Sequence, residues 1–155
     1  MANNNFFRYL ENLKIQATCA LAQTVSIGDL VGLVSNTIEK ASDITWNAST
    51  AGTQEDFHDA FLGVSEQASA ATDSDAIRVA SGGVFEFPCA SASFEVGELV
   101  GPAKASGNAL EDQKVVKVAE EKLAIGRVVL QTSSETTVLV KIFSTIIDGG
   151  PQPLV

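Results

Sequence analysis

Apolar residues recur at every second position along much of this chain, in runs too short for long helices. Leu13, Ile15, Ala17 and Cys19 alternate with Lys14, Gln16, Thr18 and Ala20. Ile77 and Val79 flank Arg78, and Val84, Phe85 and Phe87 open a run that ends at Pro88. Val115, Val116 and Val118 are broken by Lys114 and Lys117. The strongest runs are 123–130 and the β-branched 136–143. A period of two sends successive side chains to opposite faces, as in half-buried strands. Turn signals separate the runs: Gly28-Asp29, Gly82-Gly83, Gly97-Glu98, Gly107-Asn108 and Ser133-Ser134. Short strands at this spacing predict an all-β fold, a small barrel or barrel-like sandwich. The one helix candidate is 54–60, a turn or two.

The chain also echoes itself. Val25-Ser-Ile-Gly-Asp-Leu-Val-Gly32 matches Phe94-Glu-Val-Gly-Glu-Leu-Val-Gly101 at an offset of 69, with six of eight positions identical or similar. Phe61-Leu62-Gly63-Val64 faintly echoes Ala124-Ile125-Gly126-Arg127-Val128. Gly28 and Gly97 permit a tight bend, and the acid that follows can accept turn N–H groups. Leu and Val then enter a strand, with Gly32 and Gly101 behind them. Two pseudo-repeated halves of this kind could close one small barrel and remove sheet edges.

Composition narrows the function. With 155 residues, the chain makes one domain with a real core, burying about 68% of its extended-chain surface. Hydrophobic residues make up 45%, which excludes wholesale disorder. The net charge of −9 argues against nucleic acid and anionic membranes as partners, since both are polyanions. No stretch approaches 18 uncharged apolar residues, so no membrane span is expected. The first residues lack the basic start and apolar core of a secretory signal. Without secretion the sequon Asn47-Ala48-Ser49 carries no glycosylation argument. Cys19 and Cys89 are read as buried free thiols.

Candidate chemistry is sparse. Glu55-Asp56-Phe57-His58-Asp59 is the only place where histidine meets carboxylates. No second set of ligands and no nucleophile stands at a matching spacing, so the cluster reads as a solvated turn or short helix. Glu111-Asp112 and Glu120-Glu121 are adjacent pairs, and in a strand neighbours face opposite ways. They read as solubility charges rather than an acid/base couple. Ser81-Gly82-Gly83 lacks the lysine and helix of a phosphate loop. Trp46 reads as a partly buried strand aromatic. No catalytic residue, cofactor or metal is expected, and the chain is not expected to be an enzyme. An enzyme would need His58 or an acidic pair buried and organised.

The two ends differ from the middle. The leader carries Asn5, Phe6, Phe7, Tyr9 and Leu10, with four large apolar side chains in five positions from Phe6 to Leu10. Such side chains either close one end of the core or dock on a partner or neighbouring copy. The expected organisation is an arm and first strand over 1–20 and a β-barrel domain over 21–146. A loop insertion is expected at about 36–59. A flexible Gly/Pro tail is expected over 147–155.

Residues 82–101 bring a resemblance. Gly-Gly-Val-Phe-Glu-Phe-Pro-Cys-Ala-Ser, then Val-Gly-Glu-Leu-Val, resembles the central signature of the bacteriophage capsid cement, or head-decoration, proteins of phages and prophages. Gly28-Asp-Leu-Val-Gly32, Leu62-Gly-Val64, Ile125-Gly-Arg-Val128 and Val138-Leu-Val-Lys-Ile142 follow the same order. The resemblance covers about 20–143. The leader before 20, the tail after 148 and the long 36–59 segment depart from it. It implies a β-barrel protein made in the bacterial host cytoplasm and carried on the outer surface of the virion. Its partners would be the major capsid protein and itself, as a homotrimer that clamps the shell. Similar proteins use an N-terminal arm that pairs with capsid strands, so Asn5, Phe6, Phe7, Tyr9 and Leu10 are the candidate capsid or inter-protomer contacts. The alternative is a head-fibre or receptor/glycan-binding β module, with Trp46 and 36–59 lining its site.

Overall fold

The computed structural model describes residues 14–149. Five strands make a first closed barrel: β1 (Lys14–Cys19), β2 (Leu30–Val34), β3 (Thr37–Lys40), β4 (Phe61–Ser65) and β5 (Ala76–Ala80). Five more make a second: β6 (Gly82–Phe94), β7 (Leu99–Lys104), β8 (Leu110–Lys117), β9 (Gly126–Val128) and β10 (Thr132–Phe143). The order around the first is β1-β3-β2-β4-β5, and around the second β6-β8-β7-β9-β10. These are the same circuit. In each barrel the first strand runs parallel to the third, and every other pair is antiparallel.

The chain is therefore all-β, with two pseudo-repeated halves. The halves do not join into one small barrel. Each closes its own, because its first and last strands pair directly: β1 with β5 and β6 with β10.

Strand register extends the repeat through the core. Cys19 stands opposite Ile38, and Cys89 opposite Val115. Val31 faces Gly63, and Val100 faces Gly126. The first barrel is filled by Cys19, Val25, Val31, Ile38, Leu62, Ile77 and Val79. Their counterparts Cys89, Phe94, Val100, Val115, Ile125, Val138 and Val140 fill the second. The second cluster runs on into Leu30, Ile44, Phe57, Phe61 and Val64 from the first half, so the two barrels share buried apolar contact.

The repeated corners match bond for bond. Gly28 and Gly97 have φ of 94° and 91°, the left-handed region that favours glycine. The Gly28 N–H donates to Ser65 O and the Gly97 N–H to Val128 O, both at 2.8 Å. The Asp29 carboxylate accepts from the Ser26 N–H, and Glu98 from the Glu95 N–H, again both at 2.8 Å. The environments then diverge. Asp29 is buried, and its other oxygen accepts from Gln113 Nε2 of the second barrel at 2.8 Å. Glu98 meets Lys117 Nζ at 2.7 Å nearer solvent. That lysine bond, with the Glu95 N–H, holds the Glu98 carboxyl below its ordinary range. Its contribution is present above the ordinary carboxylate pKa and is lost on acidification through the lowered one. Asp29→Ala is expected to cost about 1–2 kcal/mol by removing a buried acceptor that takes two part-buried hydrogen bonds. Glu98→Ala is expected to cost about 1 kcal/mol or less. Urea midpoints of the two variants check this, and equal losses would contradict the burial difference.

The segment 36–59, expected as a loop insertion, carries β3, a 3-10 turn (Ala41–Asp43) and an eleven-residue helix, α1 (Thr50–Ala60). The helix begins four residues before the expected 54. Ser49 caps it, its Oγ accepting from the Gly52 N–H at 3.0 Å. Its buried face is Thr53, Gln54, Phe57 and Ala60, half of it polar, which hides the helical period. Gln54 is accommodated because its Nε2 donates to Pro102 O at 2.8 Å.

Three other boundaries move. β6 runs through Pro88 to Phe94 instead of stopping at the proline. The 123–130 run yields only Gly126–Val128 as strand, behind a 3-10 turn (Glu121–Leu123). The expected tail from 147 overlaps a short helix, α2 (Thr145–Asp148), capped by Ser144 Oγ on the Ile147 N–H at 3.2 Å. Residues 150–155 lie outside the described residues.

Candidate functional site

The leader residues Asn5, Phe6, Phe7, Tyr9 and Leu10 also lie outside the described residues. The four motif glycines fall at equivalent places. Gly28 and Gly97 make the corners, while Gly32 and Gly101 sit in β2 and β7 under the next connection. A β-carbon on Gly101 would come within 2.2 Å of Leu123 O, and one on Gly32 within 3.1 Å of Ala60 O. These glycines are used for close approach of backbone.

Of the solvated turn or short helix expected around His58, the structure has the helix. His58 lies on α1, half-buried, beside a cleft of about 270 Å³ that Leu99, Glu121, Arg127, Phe143 and Asp148 help to line. Its Nδ1 lies 2.6 Å from Ala124 O and so carries the proton that bonds the carbonyl. Arg127 donates to Glu121 Oε1 at 2.7 Å and to Gly97 O at 3.0 Å. Ser144 is buried, and its hydroxyl donates to Phe61 O at 3.2 Å. The contacts of these three side chains tie helix, corner and barrels together, and none forms a nucleophile–base pair.

The carboxylate neighbours of His58 point elsewhere. Glu55 meets Lys122 Nζ at 3.1 Å, and Asp56 accepts from Asn47 Nδ2 at 2.9 Å. Asp56 and Asp59 line a second cleft of about 260 Å³ with Glu39, Val34 and Ile44. Burial, then Asp43, pushes the Glu39 carboxyl up. Burial also raises Asp43, opposed by Lys40 and reinforced by Asp112 and Asp29. Asp112 accepts from the Ser42 N–H at 2.8 Å and its Oγ at 3.0 Å. Its pair mate Glu111 takes no part in that bond. Glu120 and Glu121 split likewise, onto Lys122 and Arg127. Among the described residues, no three His, Cys, Asp or Glu side chains are gathered to hold a metal.

Trp46 is half-buried with Lys104 Nζ 5.7 Å from its ring centroid. Cys19 and Cys89 are buried and free, and burial raises both thiols. No described helix is long and apolar enough to cross a membrane.

One feature that sequence reasoning missed is how little of β6 pairs with β8. β6 pairs with β10 from Gly82 onward, yet among the described residues its ladder with β8 is the single rung of Cys89 and Val115. Among the described residues, 82–88 thus have no ladder partner on the side away from β10. Pro88 is accommodated there, because its missing N–H interrupts no rung described on that side. On β6 Val84 is 53% exposed, and Phe143 across the ladder is 44% exposed. The Val-Phe-Glu-Phe-Pro pattern carried the signal, a proline inside an otherwise continuous strand.

No family model matches the chain, and no curated protein matches it. Among solved structures it is similar to the N base of the head fiber gp8.5 in bacteriophage phi29. The identity is 13% and the TM-score 0.49, over 84% of this chain and 94% of that one. A likeness of this degree carries no argument about family or function.

Proposed function

We propose that this chain is a structural virion protein without catalysis. It binds the outside of an icosahedral phage head as a homotrimer and cements the major capsid protein lattice. The observation that carries the reading is the resemblance to the cement proteins over 20–143, whose motif residues are the framework of both barrels. Gly-Gly-Val-Phe-Glu-Phe-Pro-Cys-Ala-Ser opens β6, and the two Gly-acid-Leu-Val motifs make the equivalent corners. The leader, with Asn5, Phe6, Phe7, Tyr9 and Leu10, is the contact with capsid or neighbouring protomer. Trimerisation lets three weak contacts act together through effective concentration.

Mixing the protein with undecorated heads and sedimenting them tests this. Saturable co-sedimentation is expected, with greater heat resistance of the heads. Deletion of 2–12 is expected to leave folded barrels and weaken attachment at least tenfold. Absence of binding to both unexpanded and expanded heads would overturn the cement reading in favour of a head-fibre or receptor-binding module.

A further inference from the structure

We propose that a second copy of this chain docks its Val96-Gly97-Glu98 corner on the turn between β2 and β3, repeating between copies the contact that joins the two barrels within one. The proposal deepens the homotrimer reading and rests on it. The template is the seam inside the chain. Gln113 on β8 reaches the first corner, its Nε2 donating to Asp29 Oδ1 at 2.8 Å and to Ile27 O at 3.4 Å. The preceding residue, Asp112, accepts from the Ser42 N–H and Oγ. Two neighbouring side chains of the second barrel thus hold the first corner and the turn that follows β3.

Register gives the equivalents of both partners. Ile38 and Val115 correspond, opposite Cys19 and Cys89. Lys40 and Lys117 correspond two residues on, opposite Val31 and Val100. Two residues back from Ile38, Asn36 therefore corresponds to Gln113, and both carry a side-chain amide. Asn36 is exposed on a two-residue turn closed by the Val34–Thr37 pair, with Ser35 and Asn36 at φ of 48° and 64°. Glu98 corresponds to Asp29, and each accepts from the N–H three residues before it. A carboxylate has about four acceptor sites, so Lys117 and the Glu95 N–H do not exhaust Glu98. Asn36 of one copy and Glu98 of the next then repeat the bond of Gln113 to Asp29.

The second corner is also the more apolar of the two. Ile27 and Val96 stand at equivalent tips and are equally exposed. The Gly28 N–H donates to Ser65 O and the Gly97 N–H to Val128 O. Glu66 and Gln67 beside the first corner thus correspond to Val129 and Leu130 beside the second, both exposed. Exposed apolar side chains gathered where the repeat has polar ones mark a contact surface. The receiving side is the cleft of about 260 Å³ beside the turn, floored by Val34, Ile44 and Ala60. Lys117 and Arg127 flank the corner half-exposed, and the N–H donors they do not spend on Glu98 and Glu121 suit the Glu39, Asp56 and Asp59 rim. Corner and turn are unlike surfaces, so each copy offers one of each and the contact closes a ring. Three copies set six barrels in one circuit, where closure lets three small contacts act together.

Sedimentation and cross-linking of the free full-length chain test this without phage heads. The unaltered protein is expected to sediment as a trimer. Val96→Asp with Leu130→Asp is expected to weaken that association at least tenfold while circular dichroism stays unchanged, since both side chains are exposed. Asn36→Cys and Val96→Cys, made in separate chains, are expected to cross-link on oxidation only when the two are refolded together, because the contact joins unlike surfaces. The unaltered chain, with Cys19 and Cys89 buried, is the blank. A trimer that survives the double substitution and gives no cross-link in the mixture would overturn this contact and leave the homotrimer to other surfaces. Cross-linking of either single variant with itself would overturn it too, since like surfaces would then meet. An unaltered protein that stays monomeric would overturn the contact and the homotrimer together.

Discussion

Gly126→Ala and Gly63→Ala are each expected to destabilise the protein by about 3 kcal/mol or more, at the upper end of overpacking losses. The two glycines occupy equivalent positions, opposite Val100 and Val31. A β-carbon on Gly126 would stand 2.3 Å from Lys141 O and 2.8 Å from Val140 Cγ1. On Gly63 it would stand 2.0 Å from Ala80 O. In both cases the obstacle is backbone of the next strand, which cannot swing aside as a side chain can. Relief requires β4 or β9 to separate from its neighbour and gives up barrel closure. Gly82→Ala is the control, because nothing lies within 4 Å of its β-carbon position. Urea unfolding of the three variants measures the difference. A Gly126→Ala midpoint no lower than that of Gly82→Ala would mean that the strands do not approach as closely as described.

Phe57→Ala is expected to cost about 3–5 kcal/mol, the range for removing a fully buried aromatic. Phe57 has no exposed surface and lies against Phe61, ring centroids 5.6 Å apart. Both belong to the cluster that continues into the second barrel. The loss should therefore be felt by both halves. The intact protein is expected to unfold in one transition seen alike by probes in either barrel. Phe57→Ala should lower that transition or split it in two. Two separate transitions in the intact protein would contradict a continuous core.

The all-β class was legible because alternation is a local property. Ile77 and Val79 around Arg78, or Val140 and Ile142 around Lys141, need no tertiary partner to announce a strand. The first repeat was legible because a positive-φ corner demands glycine, and an acid beside it satisfies turn N–H groups. The rest of the repeat was not. Cys19 and Cys89, or Ile77 and Val138, correspond only through register, and unequal connections shift them by different offsets. The core accepts any apolar side chain of suitable volume, so identity erodes while position persists. Helix α1 escaped because Gln54 and Thr53 take half of its buried face. Their partners, Pro102 O for Gln54 and the Asn47 N–H for Thr53, are supplied by folding.

Among candidate sites, the sequence placed His58 with acids next to it in the chain. Folding separated them, because a helix points neighbouring residues in different directions. His58 went to Ala124 O, Glu55 to Lys122 and Asp56 to Asn47. By itself the sequence determined strands, corners and a duplicated plan, since these depend on backbone conformations that particular residues allow or forbid. The tertiary structure decided that each half closes separately and that helix α1 joins the two cores. Closure and shared burial depend on which strands meet across the chain, and alternation alone does not encode that choice.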